Sequence, residues 1–324
     1  MKKVLISGGA GYIGSVLTRM VLRAGYKVRV IDNLRFGGEA IVDLLNDKNF
    51  EFIKGDTRNE HDLKKAVKGV DFVAHLAAIV GDPACAKDPE LARETNLGAS
   101  KRFYQIANEA GVKRFVFAST CSNYGKMKDS DAFVNEESNL APVSLYAETK
   151  VAAEKFLLSQ DKNNICKPTI LRFSTVYGLS PRIRFDLTVN EFTKELALGR
   201  ELVVFGEQFW RPYCHVVDLA RAIRLVFESD IDKVAFDVFN VGDTNENYQK
   251  QMLVDEIKKQ LPDAKIKYVK KDEDPRDYRV NFDKIKNKLG YRITMRVPDG
   301  IAQIIKVIKE GFLNNPDEAK YKNI

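Results

Sequence analysis

Glycines at positions 8, 11 and 14 stand at three-residue steps between the apolar run Val4-Leu5-Ile6 and the segment Tyr12–Ala24. That segment carries Ile13, Val16, Leu17, Met20 and Val21 at helical spacing and stops at Gly25. A strand that passes into a helix through such a loop is tightly constrained. The backbone must turn sharply, approach a ligand with no Cβ in the way, and aim helix N–H groups at negative charge. The pyrophosphate of a dinucleotide needs that arrangement. Val28-Arg29-Val30-Ile31 reads as a second strand, closed by Asp32-Asn33. A carboxylate about 20 residues past the glycines suits the 2′- and 3′-hydroxyls of an adenosine ribose. It repels a 2′-phosphate, which favours NAD over NADP, although Arg35 nearby softens that preference.

The alternation continues. Strands are expected at Phe50–Ile53, Phe72–Leu76, Arg114–Ala118 and Thr169–Phe173, and helices at Glu60–Lys68, Pro89–Ala110 and Ser144–Gln160. This order predicts an α/β fold, a doubly wound parallel sheet of Rossmann type with a smaller mixed C-terminal substrate lobe. Residues 1–178 read as the NAD-binding domain and 179–324 mainly as the substrate lobe, with a return of the chain at about 211–245. Ligands of such sheets bind outside the carboxyl ends of the strands, so Asp32, Asp56, Ser119-Thr120 and Ser174-Thr175 are the strand ends to inspect.

A chain of 324 residues can bury a full core. It has no apolar run long enough to span a membrane, and its N-terminal apolar run is too short for a signal peptide. The four cysteines, Cys85, Cys121, Cys166 and Cys214, are scattered without metal spacing. Neither a metal site nor a disulfide framework is expected, and a cytoplasmic location fits. The net charge of +7 lies largely in mixed runs such as Lys265–Arg279, with no basic stripe carrying interleaved aromatics. Nucleic acid is therefore not an expected partner.

Two further constellations carry chemistry. In Tyr146-Ala147-Glu148-Thr149-Lys150 a tyrosine and a lysine share one helix face. A lysine ammonium and the positive charge of an oxidised nicotinamide would favour the phenolate, making Tyr146 a general base toward a sugar hydroxyl. Tyr124…Lys128 repeats the spacing, but Gly125 and the polar residues after it argue against a helix there. In Phe117-Ala118-Ser119-Thr120-Cys121-Ser122, a strand runs into a polar loop. The Thr120 hydroxyl could bond the reacting oxygen, or it could satisfy its own backbone.

These motifs, with His75-Leu76-Ala77-Ala78, Tyr124-Gly125, Leu171-Arg172-Phe173…Val176-Tyr177-Gly178 and Arg211-Pro212-Tyr213-Cys214-His215-Val216-Val217-Asp218, occur in the order seen in extended short-chain dehydrogenases/reductases. The chain resembles their NAD-dependent epimerase/dehydratase branch, which acts on nucleotide-activated sugars. The resemblance implies Tyr146 as catalytic base, Lys150 as its partner and a nicotinamide-ribose ligand, and Thr120 as the catalytic hydroxyl. It implies Gly8, Gly11, Tyr12, Ile13, Gly14, Asp32, Asn33 and Ser119 at the cofactor. Asp56 and Thr57 would meet the adenine, Leu76, Ala77 and Ala78 the phosphate–ribose stretch, and Val176 the nicotinamide. Arg211 and Arg276 would hold a substrate diphosphate as paired forks. Ser122 would face the substrate. Arg182 and Arg184, in Ser180-Pro181-Arg182-Ile183-Arg184, could reach it or be solvated.

Sugar 4,6-dehydratases carry Asp-Glu after the catalytic Thr, where this chain has Cys121-Ser122, so dehydration is not expected. Cys121 is also out of register with the cysteine of 3,5-epimerases. The leading expectation is NAD-dependent redox chemistry at C4 of a nucleotide-diphosphate sugar, as a 4-epimerase acting as a homodimer. The alternatives are a C4 dehydrogenase or 4-keto reductase, and a non-catalytic NAD-binding protein.

Overall fold

A computed structural model describes residues 1–127, 132–270 and 276–323. Lys128 of the second Tyr-x-x-x-Lys spacing, and Asp274-Pro275 before Arg276, lie outside these residues. Among the described residues, twelve strands form three sheets. They are β1 (Lys3–Ser7), β2 (Lys27–Asp32), β3 (Phe50–Lys54), β4 (Phe72–His75), β5 (Arg114–Thr120), β6 (Lys167–Phe173), β7 (Thr175–Tyr177), β8 (Leu202–Phe205), β9 (Trp210–His215), β10 (Asp237–Val241), β11 (Asn247–Gln249) and β12 (Ile266–Val269). The main sheet has seven parallel strands in the order β10-β6-β5-β4-β1-β2-β3. The doubly wound parallel sheet expected from the alternation is therefore present. Order reverses at β1, which puts the Gly loop at the switch point where such sheets bind ligands.

Helices cover both faces. On one, Leu17 and Val21 of helix Tyr12–Arg23 pack with Leu219, Ile223 and Val226 of helix Val216–Glu228. On the other, Phe103 and Tyr104 of helix Ala99–Glu109 and Leu157 of helix Leu145–Leu158 pack on Phe115 and Ile170. The single helix expected over Pro89–Ala110 is broken in register by a π-turn at Glu94–Gly98. There the buried Asn96 side chain bonds both backbone groups of Ile79, at 2.8 and 2.9 Å. A helix at Asp82–Lys87, beginning after Gly81 with φ +93°, was not anticipated.

After β6 the chain leaves the main sheet at Ser174. β7 joins β9 and β11 in a second sheet, and β8 pairs with β12 in a third. Tyr177, Phe192, Leu253, Ile257 and Ile301 form a separate core there. β10 then returns to complete the main sheet beside β6. The four cysteines are free and buried. Among the described residues no group of side chains has metal-binding geometry, and no helix is long and apolar enough to cross a membrane.

A buried polar network lies behind the loop that follows β5. Glu154 receives Arg172 Nε at 3.1 Å and Nη2 at 2.7 Å, Asn123 Nδ2 at 2.8 Å, and the Ser119 hydroxyl. Arg172 Nη1 reaches the Tyr124 hydroxyl at 3.0 Å, which donates to Asn240 at 2.8 Å. Removing one member of such a pair leaves a buried charge without its partner. Glu154→Ala is therefore expected to lower stability by about 3 kcal/mol or more, with Glu154→Met/Arg172→Met recovering much of it. Urea unfolding measures both; equal losses in the single and double variants would refute the coupling.

Glu246, 2% exposed, accepts from Val297 N at 3.0 Å, and burial pushes its carboxyl up to about 7. A carboxyl raised by folding contributes stability below its unfolded pKa and loses it as pH rises through the folded value. From about pH 4.5 to 7, the group's contribution should fall by roughly 3 kcal/mol. Glu246→Gln keeps the acceptor and removes the titration. Its stability relative to wild type should rise across that window, measured by denaturant unfolding at fixed pH values.

Candidate active site

A cleft of about 560 Å³ runs over the carboxyl ends of the main strands and is walled on its far side by β9 and the segment from Arg276. Its size is ordinary for a site enclosing a small ligand. Every site residue named from the sequence lines it.

At one end the Gly loop turns under helix Tyr12–Arg23. Gly8 takes φ +74°, and its N–H donates to Ile31 O at 2.9 Å. A Cβ on Gly14 would stand 2.0 Å from Gly8 O, so no larger residue fits that crossing. No side chain caps the start of this helix, which leaves its first-turn N–H groups directed at the cleft. Asp32 braces the loop: Oδ2 accepts from Ala10 N at 3.0 Å and Oδ1 from Leu34 N at 2.9 Å. Burial raises its carboxyl against these bonds. A carboxylate has acceptor positions to spare for a ribose diol. The Gly14 crossing, the uncapped helix start and Asp32 together fit a bound dinucleotide.

Asn33 Nδ2 donates to Asp56 Oδ2 at 3.3 Å, and the fork of Arg58 grips the same carboxyl at 2.9 and 2.7 Å, holding it down at about 2. Asp56 is thus an anchored anion beside Thr57 at this end of the cleft. Leu76, Ala77 and Ala78 follow β4. Their path is set by Ser7 Oγ, which accepts from Ala77 N at 3.3 Å and bonds His75 Nδ1 at 2.7 Å. Burial and then the Lys150 charge push His75 down to about 3, so it stays neutral and structural.

In the middle of the cleft Ser144 caps helix Leu145–Leu158, and Tyr146 lies in its first turn. Lys150 Nζ donates to Ala118 O at 2.8 Å and stands 6.0 Å from the centre of the Tyr146 ring. The sequence led us to expect a phenol lowered by Lys150 and an oxidised nicotinamide together. Protein groups alone do the opposite: burial raises Tyr146, the Cys85 and Asp82 sides add to the rise, and Arg184 opposes it. Burial also lowers Lys150 to about 8. Thr120 Oγ1 accepts from Ser122 N at 3.1 Å, so it does satisfy its own backbone, while its O–H remains able to donate into the cleft. The Ser119 hydroxyl is committed to Glu154. Val176, on β7, lines the wall opposite.

Arg211 lies along the Tyr278 ring at 5.3 Å, and Tyr278 donates to Ser122 Oγ at 3.4 Å. Arg276 reaches across the cleft to Asp82 at 3.0 Å. Arg182 and Arg184 are not solvated: both are more than nine-tenths buried, against the Gly-loop helix. Phe36, Asp82, Asp186, Tyr278 and Asn323 also line the cleft and were not singled out from the sequence. Asp82 had a legible signal in Gly81-Asp82-Pro83, a helix start. Asn323 had none.

Residues 4–242 match the model of the NAD dependent epimerase/dehydratase family. The chain is 31% identical over 274 residues to a UDP-glucose 4-epimerase of Lactobacillus helveticus, covering 79% of this chain and 81% of that one. It is 27% identical to a dTDP-glucose 4,6-dehydratase of Streptomyces niveus, covering 98% and 97%. Among solved structures, UDP-glucuronic acid 4-epimerase from Bacillus cereus, in complex with UDP-glucuronic acid and NAD, superposes with a TM-score of 0.84 at 26% identity, covering 95% and 99%. The chain belongs to the NAD-dependent epimerase/dehydratase family of extended short-chain dehydrogenases/reductases, and its cofactor is NAD.

Proposed function

We propose that the protein is a nucleotide-sugar 4-epimerase. The observation that carries this reading is that Tyr146, Lys150 and Thr120 line the same cleft as the Gly loop, Asp32, Arg211 and Arg276. NAD, when bound, supplies a reversible hydride acceptor. Thr120 donates to the reacting C4 oxygen, and Tyr146 takes its proton as the C4 hydride departs. Lys150, fixed on Ala118 O, keeps a positive charge near the Tyr146 phenol and offers its remaining protons to the nicotinamide ribose. Because burial raises Tyr146, the phenolate depends on this charge and on that of the oxidised nicotinamide. Arg211 and Arg276 grip the diphosphate, so the sugar can turn while its anchor stays. With the sugar free to turn on that anchor, Tyr146 and Thr120 would meet the C4 oxygen from either face, as epimerisation requires.

Dehydration finds little support here. Cys121 stands where 4,6-dehydratases carry an acid. Its thiol is buried, donates to Arg172 O at 3.3 Å, and is pushed up by burial. Ser122 beside it is a hydroxyl. Neither can share the acid–base work of water loss.

Tyr146→Phe is expected to lower epimerisation of UDP-, dTDP-, GDP- or CDP-hexoses by roughly a thousandfold or more while NAD binding stays intact. Chromatography of the sugar nucleotides reads the first and calorimetry the second; a variant as active as wild type would sink the assignment. In Asp32→Ala, NAD affinity should fall by about tenfold or more, since a buried acceptor for two ribose hydroxyls is lost. Unchanged affinity would remove Asp32 from the ribose site.

A further inference from the structure

Residues 178–187 leave β7 and fold over the start of helix Tyr12–Arg23. Ser180 Oγ donates to Tyr12 O at 2.6 Å, the Tyr12 hydroxyl donates to Gly178 O, and Asn190 Nδ2 reaches the Tyr12 hydroxyl at 3.2 Å. This packing holds two guanidiniums against the Gly-loop helix. Arg184 is neutralised by a fork on Asp186, at 2.9 and 2.8 Å. Arg182 has no carboxylate partner among the described residues. Its Nη2 donates to Lys322 O at 3.1 Å, its plane lies 4.3 Å from the Phe36 ring, and its Nε is buried with no partner. It is 6% exposed. Burial, and then the Arg184 charge, lower Arg182 to about 10.

Two guanidiniums and one carboxylate leave a surplus positive charge inside the cleft wall. Such a charge is costly without a counter-anion. Its location says which anion. Arg182 lies over Phe36, on the loop that follows Asp32, and its own backbone N–H donates at 3.3 Å to Ser180 Oγ, which is bonded to Tyr12 O at the start of the uncapped helix. In a strand–Gly loop–helix unit the pyrophosphate lies at that helix start.

We propose that Arg182 is a ligand of the cofactor pyrophosphate, not of the sugar substrate, and that the C-terminal strap Tyr321–Asn323 positions it. The strap is tied down at three points. Phe185 N donates to Tyr321 O at 2.8 Å, Tyr321 packs edge-on to Phe185 at 5.7 Å, and Asn323 N donates to Asp186 Oδ2 at 2.9 Å. Lys322 supplies the carbonyl that orients Arg182. The inference rests on the reading of this cleft as an NAD site and replaces the substrate role expected for Arg182 from the sequence.

The test is calorimetric binding of NAD, and separately of whichever of UDP, dTDP, GDP and CDP the wild type binds. Arg182→Gln should weaken NAD by roughly tenfold to a hundredfold and leave nucleoside diphosphate affinity within about twofold, since one charge-assisted bond is lost at one site only. A chain ending at Lys320 keeps Arg182 but frees it; NAD should then dissociate faster in stopped flow, with circular dichroism unchanged. This second variant decides the matter if Arg182→Gln fails to fold. Loss of diphosphate affinity with NAD affinity kept would make Arg182 a substrate residue and overturn the proposal. Unchanged binding of both ligands would overturn it too. Failure of the wild type to bind NAD would instead bring down the cofactor reading itself.

Discussion

The crossing of Gly14 over the carbonyl of Gly8 is the contact on which the rest of the site depends. A Cβ at position 14 would stand 2.0 Å from that oxygen, so helix Tyr12–Arg23 can begin where it does only because residue 14 lacks a side chain. That closeness sets the helix axis against β1 and leaves its first turn uncapped. It also brings Ala10 within reach of Asp32. The loop after β2, the Leu76–Ala78 segment and the fold-over at 178–187 each pack on this corner. The cofactor end of the cleft is therefore preorganised by steric fit, with electrostatics added at its rim.

The reaction end is organised differently. Tyr146 and Lys150 share a helix face, but what holds that face to β5 is polar: the Lys150 ammonium on Ala118 O, and beneath it Glu154 on Ser119, Asn123 and Arg172. Three successive residues of β5 thus serve three layers. Ala118 fixes the lysine, Ser119 faces the buried network, and Thr120 faces the cleft. This division explains why a strand end in this position carries small polar residues.

Local pattern made much of this visible in the sequence. The Gly loop, Asp32 and the Tyr146–Lys150 pair are short-range signals, set by chain turns of a few residues, and each lies in the cleft. Contacts between distant residues were not visible. Glu154 and Arg172 look like ordinary surface charges until β6 is placed beside β5. For Arg182 and Arg184 the local sequence left contact with substrate and solvation both open, and the strap some 140 residues later that bonds Arg182 and Asp186 could not be seen from it. The burial that raises Tyr146 was not visible either, because a lysine four residues on is easy to see and the desolvation of a phenol by residues distant in sequence is not.

The order in which the chain is made follows from the return of β10. The strand–Gly loop–helix unit is complete within the first 32 residues, but β6 has its outer neighbour only when residue 241 is reached. Helix Val216–Glu228, which covers helix Tyr12–Arg23, is synthesised late as well. A nascent chain therefore carries an uncovered apolar helix through most of translation, and an unpaired β6 edge from residue 173 until β10 is made. Such long-range closure is slow, and it is exposed to mispairing with other chains. The residues at 321–323, which steady Arg182, arrive after everything they touch.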